Sequence, residues 1–247
     1  MANLAKKAPE SLNRGHTYCP GCGHGLFIRI LHEVMEEKGL ADNNICQNGV
    51  GCSGTYHLGG PKYSACNGGN VFEGHHGRAP VSARAIKAML PDTFVWTYQG
   101  DGDAYAIGMG ETMLAAHNNY PITVFVINNC NYGMTGGQYA PTTLIGQKTT
   151  TTPSGNQARP FDFMKHTAVM DQVMYAARGT TATPAEIRKL KAYMSKAIDV
   201  QMKYNNYSII EILSPCPTNW QKAPVDANKW IMEEVTKSFP LGEFRTY

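Results

Sequence analysis

No stretch of this sequence is apolar for anything near the roughly 20 residues that a helix needs to cross a bilayer, so no membrane span is expected. Charge of one sign is also lacking. Lys and Arg number 22 against 19 Asp and Glu, a net +3 with no basic block. That balance does not imply nucleic acid as a partner, although an acidic protein partner stays compatible with it. The first residues, Met1-Ala-Asn-Leu-Ala-Lys-Lys, have no apolar signal core, so a cytoplasmic location is the default expectation. No internal repeat is evident.

Cysteine, by contrast, is present seven times. In a cytoplasmic chain that number argues for thiols or metal ligands rather than disulfides. With 247 residues and 43% hydrophobic content, the chain is long enough for one sizeable core. Residues 1–15 read as a polar arm, and 16–247 as a single domain.

The densest chemistry lies between Gly100 and Gln138. Gly100-Asp101-Gly102-Asp103 follows a short β-branched and aromatic run, Thr93 to Tyr98. Asn128-Asn129-Cys130-Asn131 follows the continuous apolar run Ile122 to Ile127, as expected of a strand buried on both faces. Between them, Ala104 to His117 has helical spacing, with Ile107, Met113 and Leu114 apolar. Each polar turn alone is an ordinary turn. Together they set Asp101 and Asn129 at the carboxyl ends of two strands, where open α/β sheets bind ligands. Hard oxygen ligands there suit Mg²⁺, which takes few protein carboxylates when phosphates complete its shell. The residue-level expectation is a metal-bound diphosphate, with the Gly- and Thr-rich loop from Tyr132 to Gln138 wrapped around it.

Elsewhere, helices are expected over 26–40, 79–90, 160–169, 184–204 and 226–239, and strands at 44–47, 172–176 and 207–213. Residues 142–158, rich in Thr, Pro, Gly and Gln, read as an exposed loop, a lid or a subunit contact. The alternation predicts a doubly wound α/β fold, a mostly parallel sheet with helices on both faces. Cys19-Pro-Gly-Cys22 can share one metal or cluster, zinc included, or act as a redox dithiol. Cys52 sits in Gly49-Val-Gly51-Cys52-Ser53-Gly54, where glycines allow close backbone approach but also an ordinary turn. His75-His76-Gly77-Arg78 stands at a helix entrance, a place suited to an anion or carboxylate. Cys216 lies between prolines after the last strand.

In order, Tyr18-Cys19-Pro-Gly-Cys22-Gly-His24, Gly51-Cys52-Ser53, His76-Gly77-Arg78, Gly100-Asp101-Gly102-Asp103, Asn129 to Gln138 and Ser214-Pro-Cys216 resemble the β subunit of the 2-oxoacid:ferredoxin oxidoreductases. The resemblance runs from about Gly15 to Phe244 and is nearest to the 2-oxoglutarate and branched-chain 2-oxoacid types. It implies a thiamine diphosphate-binding fold in an oxidoreductase of anaerobic metabolism. Such an enzyme decarboxylates a 2-oxo acid and forms acyl-coenzyme A and CO₂, with electrons passing through a 4Fe–4S cluster to ferredoxin.

By position, Asp101, Asn129 and the Asn131 carbonyl would hold Mg²⁺, with Gly102 and Asp103 against the diphosphate. Gly51, Cys52, Ser53, His76, Gly100, Tyr132, Gly133, Met134 and Thr135 would line the cofactor site. Cys19, Cys22, Cys52 and Cys216 would hold the cluster, and Cys46, Cys66 and Cys130 would remain ordinary thiols. His76 and Arg78 are the candidate catalytic pair. Thiamine enzymes of this type need a Glu beside the aminopyrimidine to activate the cofactor; this sequence offers no good candidate, so the resemblance implies a partner α subunit that supplies it with most substrate contacts. Further γ and δ subunits are additional candidate partners.

Two rival functions account for less of the chain. A non-oxidative thiamine decarboxylase or carboligase leaves four cysteines idle. An electron-transfer or zinc module without catalysis leaves Asp101 and Asn129 unexplained.

Overall fold

The computed structural model describes residues 8–12, 16–56 and 70–247. Among these, the strands are β1 (Asn44–Asn48), β2 (Asn70–Glu73), β3 (Phe94–Gly100), β4 (Thr123–Asn128), β5 (Tyr175–Thr180), β6 (Ser208–Leu213) and β7 (Gly242–Arg245). They form one sheet in the order β2-β1-β3-β4-β6-β5-β7. Every pairing is parallel except that of β7, which runs antiparallel on the β5 edge. This is the expected doubly wound, mostly parallel sheet.

Side-chain alternation explains why the sheet is covered twice. In β3, Phe94, Trp96 and Tyr98 join the core under α1 (Gly23–Glu37). Val95, between them, joins the opposite core with Ala83 of α2 (Ala79–Met89) and Ala115 of α3 (Met109–His117). In β4, Phe125 and Ile127 take the first side and Val124 and Val126 the second. A strand apolar at both parities has no face fit for water. A short helix, α4 (Phe163–Thr167), adds Phe163 and Met164 to the second core. The first face is completed by α5 (Pro184–Tyr204). Its N-cap Thr183 accepts a hydrogen bond from the Glu186 amide, Pro184 opens the helix, and Asn205 closes it in the left-handed region.

The chain leaves β1 toward β2 but leaves β3 toward β4 on the other side. The gap between the carboxyl ends of β1 and β3 is therefore a topological switch point, where a ligand crevice forms.

Several expectations are corrected. Helix α1 begins at Gly23, not Leu26. A β-carbon on Gly23 would lie 2.4 Å from Ser214 Oγ, so its absence lets the helix start press onto the ends of β5 and β6. The helix expected over 104–117 is broken by a wide π turn at Asp103–Ile107. Gly77, at φ +81, lies against Gly108 there: a β-carbon on it would come within 2.6 Å of the Gly108 nitrogen. Ile107 and Leu114, apolar members of that stretch, are half exposed.

Strand β5 lies a few residues later than expected because it contains a charge, Arg178, that periodicity does not mark as buried. Edge strands β2 and β7 are short, partly exposed and carry no apolar run. The helix expected over 226–239 begins at Pro224.

The loop at 142–158 is not simply exposed, since Thr142, Thr143 and Asn156 are buried. Thr143 Oγ1 donates to the Cys130 carbonyl at 2.9 Å, and the Asn156 amide donates to the Thr143 carbonyl at 2.8 Å. Most of the arm at 1–15 lies outside the described residues, as does Cys66. Of the arm's described part, Leu12 packs on the core and Ser11 Oγ donates to Glu36 at 2.9 Å. No helix among the described residues is long and apolar enough to cross a membrane.

Candidate functional site

The carboxyl ends of β1, β3 and β4 open on a cavity of about 120 Å³. Residues 51–53, His76, 100–103, Asn129, Asn131 and 132–135 all line it, which is every residue expected at the cofactor. Arg78 does not line it; its guanidinium is paired with Glu111 on α3.

At the centre stand three oxygens. The Asn129 amide, as placed, has its oxygen 3.1 Å from Asp101 Oδ1 and 2.6 Å from the Asn131 carbonyl oxygen. Turning the amide would convert both contacts into N–H···O hydrogen bonds. Without that turn, the oxygens repel one another unless a cation lies between them. Carboxylate, amide and carbonyl oxygens are the hard donors that Mg²⁺ takes, so the donor set fits it. Asp101 is 1% exposed, and burial pushes its carboxyl up to about 7 against the pull of the Thr142 hydroxyl, which donates to Oδ2. Thr142 was not foreseen, and no local pattern marks it, because its partner is 41 residues away.

Asp103 differs from Asp101. Its Oδ1 accepts from the amides of Gly77 (2.9 Å) and Val50 (3.1 Å), and its Oδ2 from Gln99 Nε2 at 2.6 Å. His76 Nδ1 also bonds to Oδ1. One buried carboxylate thus ties the loop after β1, the turn before α2 and the end of β3 into a single wall. Gly102 is the tight point. A β-carbon on it would lie 2.3 Å from the Tyr132 ring, whose hydroxyl donates to the Gly102 carbonyl at 3.2 Å. Gly102→Ala is therefore expected to cost about 1–3 kcal/mol by overpacking. Thermal denaturation would read this as a fall of several degrees, and an unchanged midpoint would mean that Tyr132 swings aside freely.

A second cavity, of about 350 Å³, adjoins the first and shares Cys52, Asn129, Gly133 and Met134 with it. Cys19, Cys22, Cys52 and Cys216 all line it. Cys46 and Cys130 are buried and line neither cavity. Burial, reinforced by the neighbouring thiols, pushes Cys22 and Cys52 up to about 12 and raises Cys216. Bare, these groups are protonated thiols, and only a strong electrophile would hold them as thiolates. Among the described residues, no three His, Cys, Asp or Glu side chains are arranged to hold a single metal ion.

Two residues beside the cysteines were also unassigned in the sequence. Asn219 Nδ2 donates to the Gly133 carbonyl at 2.8 Å, and Trp220 Nε1 to the Asn129 carbonyl at 3.1 Å. His24 is buried in the wall of the first cavity and bonds through Nδ1 to the Tyr98 hydroxyl. Burial pulls its imidazole down to about 3, so it is neutral.

Residues 49–212 match the family "Thiamine pyrophosphate enzyme, C-terminal TPP binding domain". Fold and site together are those of a thiamine pyrophosphate-binding enzyme domain. Among characterised relatives, the Archaeoglobus fulgidus 2-oxoglutarate synthase subunit KorB is 36% identical over 218 residues, covering 87% of this chain and 75% of that one. The ketoisovalerate oxidoreductase subunit VorA of Methanothermobacter thermautotrophicus is 38% identical over 232 residues. That alignment covers 92% of this chain, which spans only 47% of VorA's length. The chain belongs to the thiamine pyrophosphate-binding subunits of the 2-oxoacid:ferredoxin oxidoreductase family. A solved 2-oxoglutarate:ferredoxin oxidoreductase from Magnetococcus marinus, with 2-oxoglutarate, coenzyme A and succinyl-CoA bound, shares the fold. Its TM-score is 0.78 at 23% identity, covering 100% of this chain and 87% of that one.

Proposed function

We propose that this chain is the cofactor-bearing subunit of an enzyme that oxidatively decarboxylates a 2-oxo acid, 2-oxoglutarate or a branched-chain acid, to acyl-coenzyme A and CO₂, and passes the electrons to ferredoxin. The observation that carries this is the shared wall between the two cavities. One holds the three-oxygen set, the other the four thiols, and Cys52 and Gly133 belong to both. Both sites fit their groups. The first offers the carboxylate, amide and carbonyl oxygens that Mg²⁺ takes, and the second is ringed by four cysteines, the ligand count of a 4Fe–4S cluster.

In this assignment Asp101, Asn129 and the Asn131 carbonyl would hold Mg²⁺ and through it a diphosphate. Cys19, Cys22, Cys52 and Cys216 hold the cluster. When bound, thiamine diphosphate supplies the electron sink for loss of CO₂, and the cluster carries single electrons. The protein's own part is positional. Asp103 locks the loops of the cavity and orients His76 through Nδ1, which leaves Nε2 as the ring's other hydrogen-bonding atom. Gly102 leaves the space beside Tyr132 clear. Arg78 is held away by Glu111, so a substrate role for it requires release of that pair. Both carboxylates that line the cavity, Asp101 and Asp103, are already committed. The activating carboxyl is accordingly assigned to a partner α subunit.

The purified complex, assayed anaerobically with a panel of 2-oxo acids, coenzyme A and a viologen dye, tests this. Substrate-dependent dye reduction with about four iron and four sulfide per cluster is expected. Zinc in place of iron, or decarboxylation without dye reduction, would refute it.

A further inference from the structure

We propose that Asn219 is a positioning residue that couples the two cavities, hydrogen-bonding Cys216 on one side and the 131–133 turn on the other. The inference rests on the cluster assignment above.

Cys216 caps the short helix α6 (Pro217–Trp220). Asn219, one turn on, therefore folds back over the cysteine. Its Nδ2 lies 3.5 Å from Cys216 Sγ, 3.4 Å from Asn131 Oδ1 and 2.8 Å from the Gly133 carbonyl. An amide has two N–H groups. The short contact to Gly133 takes one, and Asn131 and the sulfur compete for the other. Gly137 closes over the side chain, since a β-carbon there would stand only 3.1 Å from Asn219. Its three contacts aim the amide at the cysteine and at the turn together.

The competition gives coupling a physical basis. Asn131 carries a carbonyl of the proposed Mg²⁺ set, and its side-chain amide donates to the Asn129 carbonyl at 2.8 Å. Any shift of that turn when the metal-bound cofactor is present changes how much of the Asn219 proton is left for the sulfur. A donor to a cluster sulfur favours the reduced, more negative cluster and raises its reduction potential. Neighbouring Trp220 adds a second, rigid tie from its indole N–H to the Asn129 carbonyl.

The test is a redox titration of the complete anaerobic complex, followed by electron paramagnetic resonance, with bound Mg²⁺–thiamine diphosphate and after its removal. In the wild type the midpoint should differ between the two states. In Asn219→Leu it should lie lower, and the dependence on cofactor should shrink or vanish; Asn219→Ala should do the same, and Asn219→Gln should recover part of the shift. A Leu variant with full iron content and a wild-type midpoint overturns the proposal. If the Leu and Ala variants both lose iron, Asn219→Gln decides: a midpoint below wild type with a smaller dependence on cofactor supports the coupling, and wild-type values for both overturn it. A wild-type complex without iron and sulfide overturns both this proposal and the cluster assignment beneath it.

Discussion

Asp101→Ala is expected to cut the thiamine diphosphate content of the purified complex at least tenfold and its activity by about 100-fold or more, while iron content stays at the wild-type level. Even partners one shell removed from a metal are typically worth 10–100-fold, and Asp101 is the only carboxylate among the three oxygens. Thiochrome fluorescence of the released cofactor and an iron assay read the two sites separately. Retained cofactor would refute the metal assignment.

The same residue carries a stability effect of opposite sign. Burial raises its folded pKa from 3.8 to about 7 when no cation is present. From about pH 4 to 7 the folded chain therefore holds a proton that the unfolded chain has lost. Stability of the cofactor-free protein falls as pH rises through that window. Asp101→Asn removes the penalty, so at pH 8 the cofactor-free variant should melt higher than the cofactor-free wild type, by up to a few kcal/mol. A site held at a cost to stability is common where function needs it.

The largest loss of stability is expected at Arg178. Its side chain is fully buried, and its guanidinium bonds to Glu211 and Asp162. Arg178 and Glu211 are direct partners in the β5–β6 register. Phe239 and Phe244 stand 5.1 and 5.0 Å from its charge. Burial works against the guanidinium's charge, but Glu211 and Asp162 outweigh it. Arg178→Met leaves Glu211 buried without its cation and Asp162 with only the exposed Lys165 ammonium, 3.6 Å away. Removing one partner of a buried pair costs about 3–5 kcal/mol, which for a chain of this size lowers the melting temperature on the order of 10 °C.

Replacing Asp162, Arg178 and Glu211 together by neutral residues should restore much of that loss. A single variant that melts within 2 °C of wild type would show that the network is dispensable. The effect should also reach the cofactor, because Glu211 Oε1 accepts from the Asn128 amide at 2.9 Å, one residue before Asn129.

Much of the site was legible in residue type. A carboxylate and an amide, 28 residues apart after two buried strands, mark candidate ligand-binding turns at one sheet edge, and both line the same cavity. The central strands were legible because both parities are apolar. Arg178 obscured β5, because a charge is read as exposed until its carboxylates are seen. The threonines at 142–152 obscured the loop for the same reason: a hydroxyl that satisfies a buried carbonyl looks, in sequence, like one that meets water.

What the sequence alone determined is chemistry. It set which oxygens and sulfurs the chain can offer, and the alternation that forces a parallel sheet buried on both faces. Packing chose the company. Cys19 and Cys216 stand nearly 200 residues apart, and they line one cavity because a bare Gly23 lets α1 press against Ser214. Thr142 finds Asp101, and Asn219 finds both Cys216 and Gly133, through contacts that no local pattern encodes. Propensity and periodicity act over a few residues, whereas these partners are chosen by packing across the whole sheet.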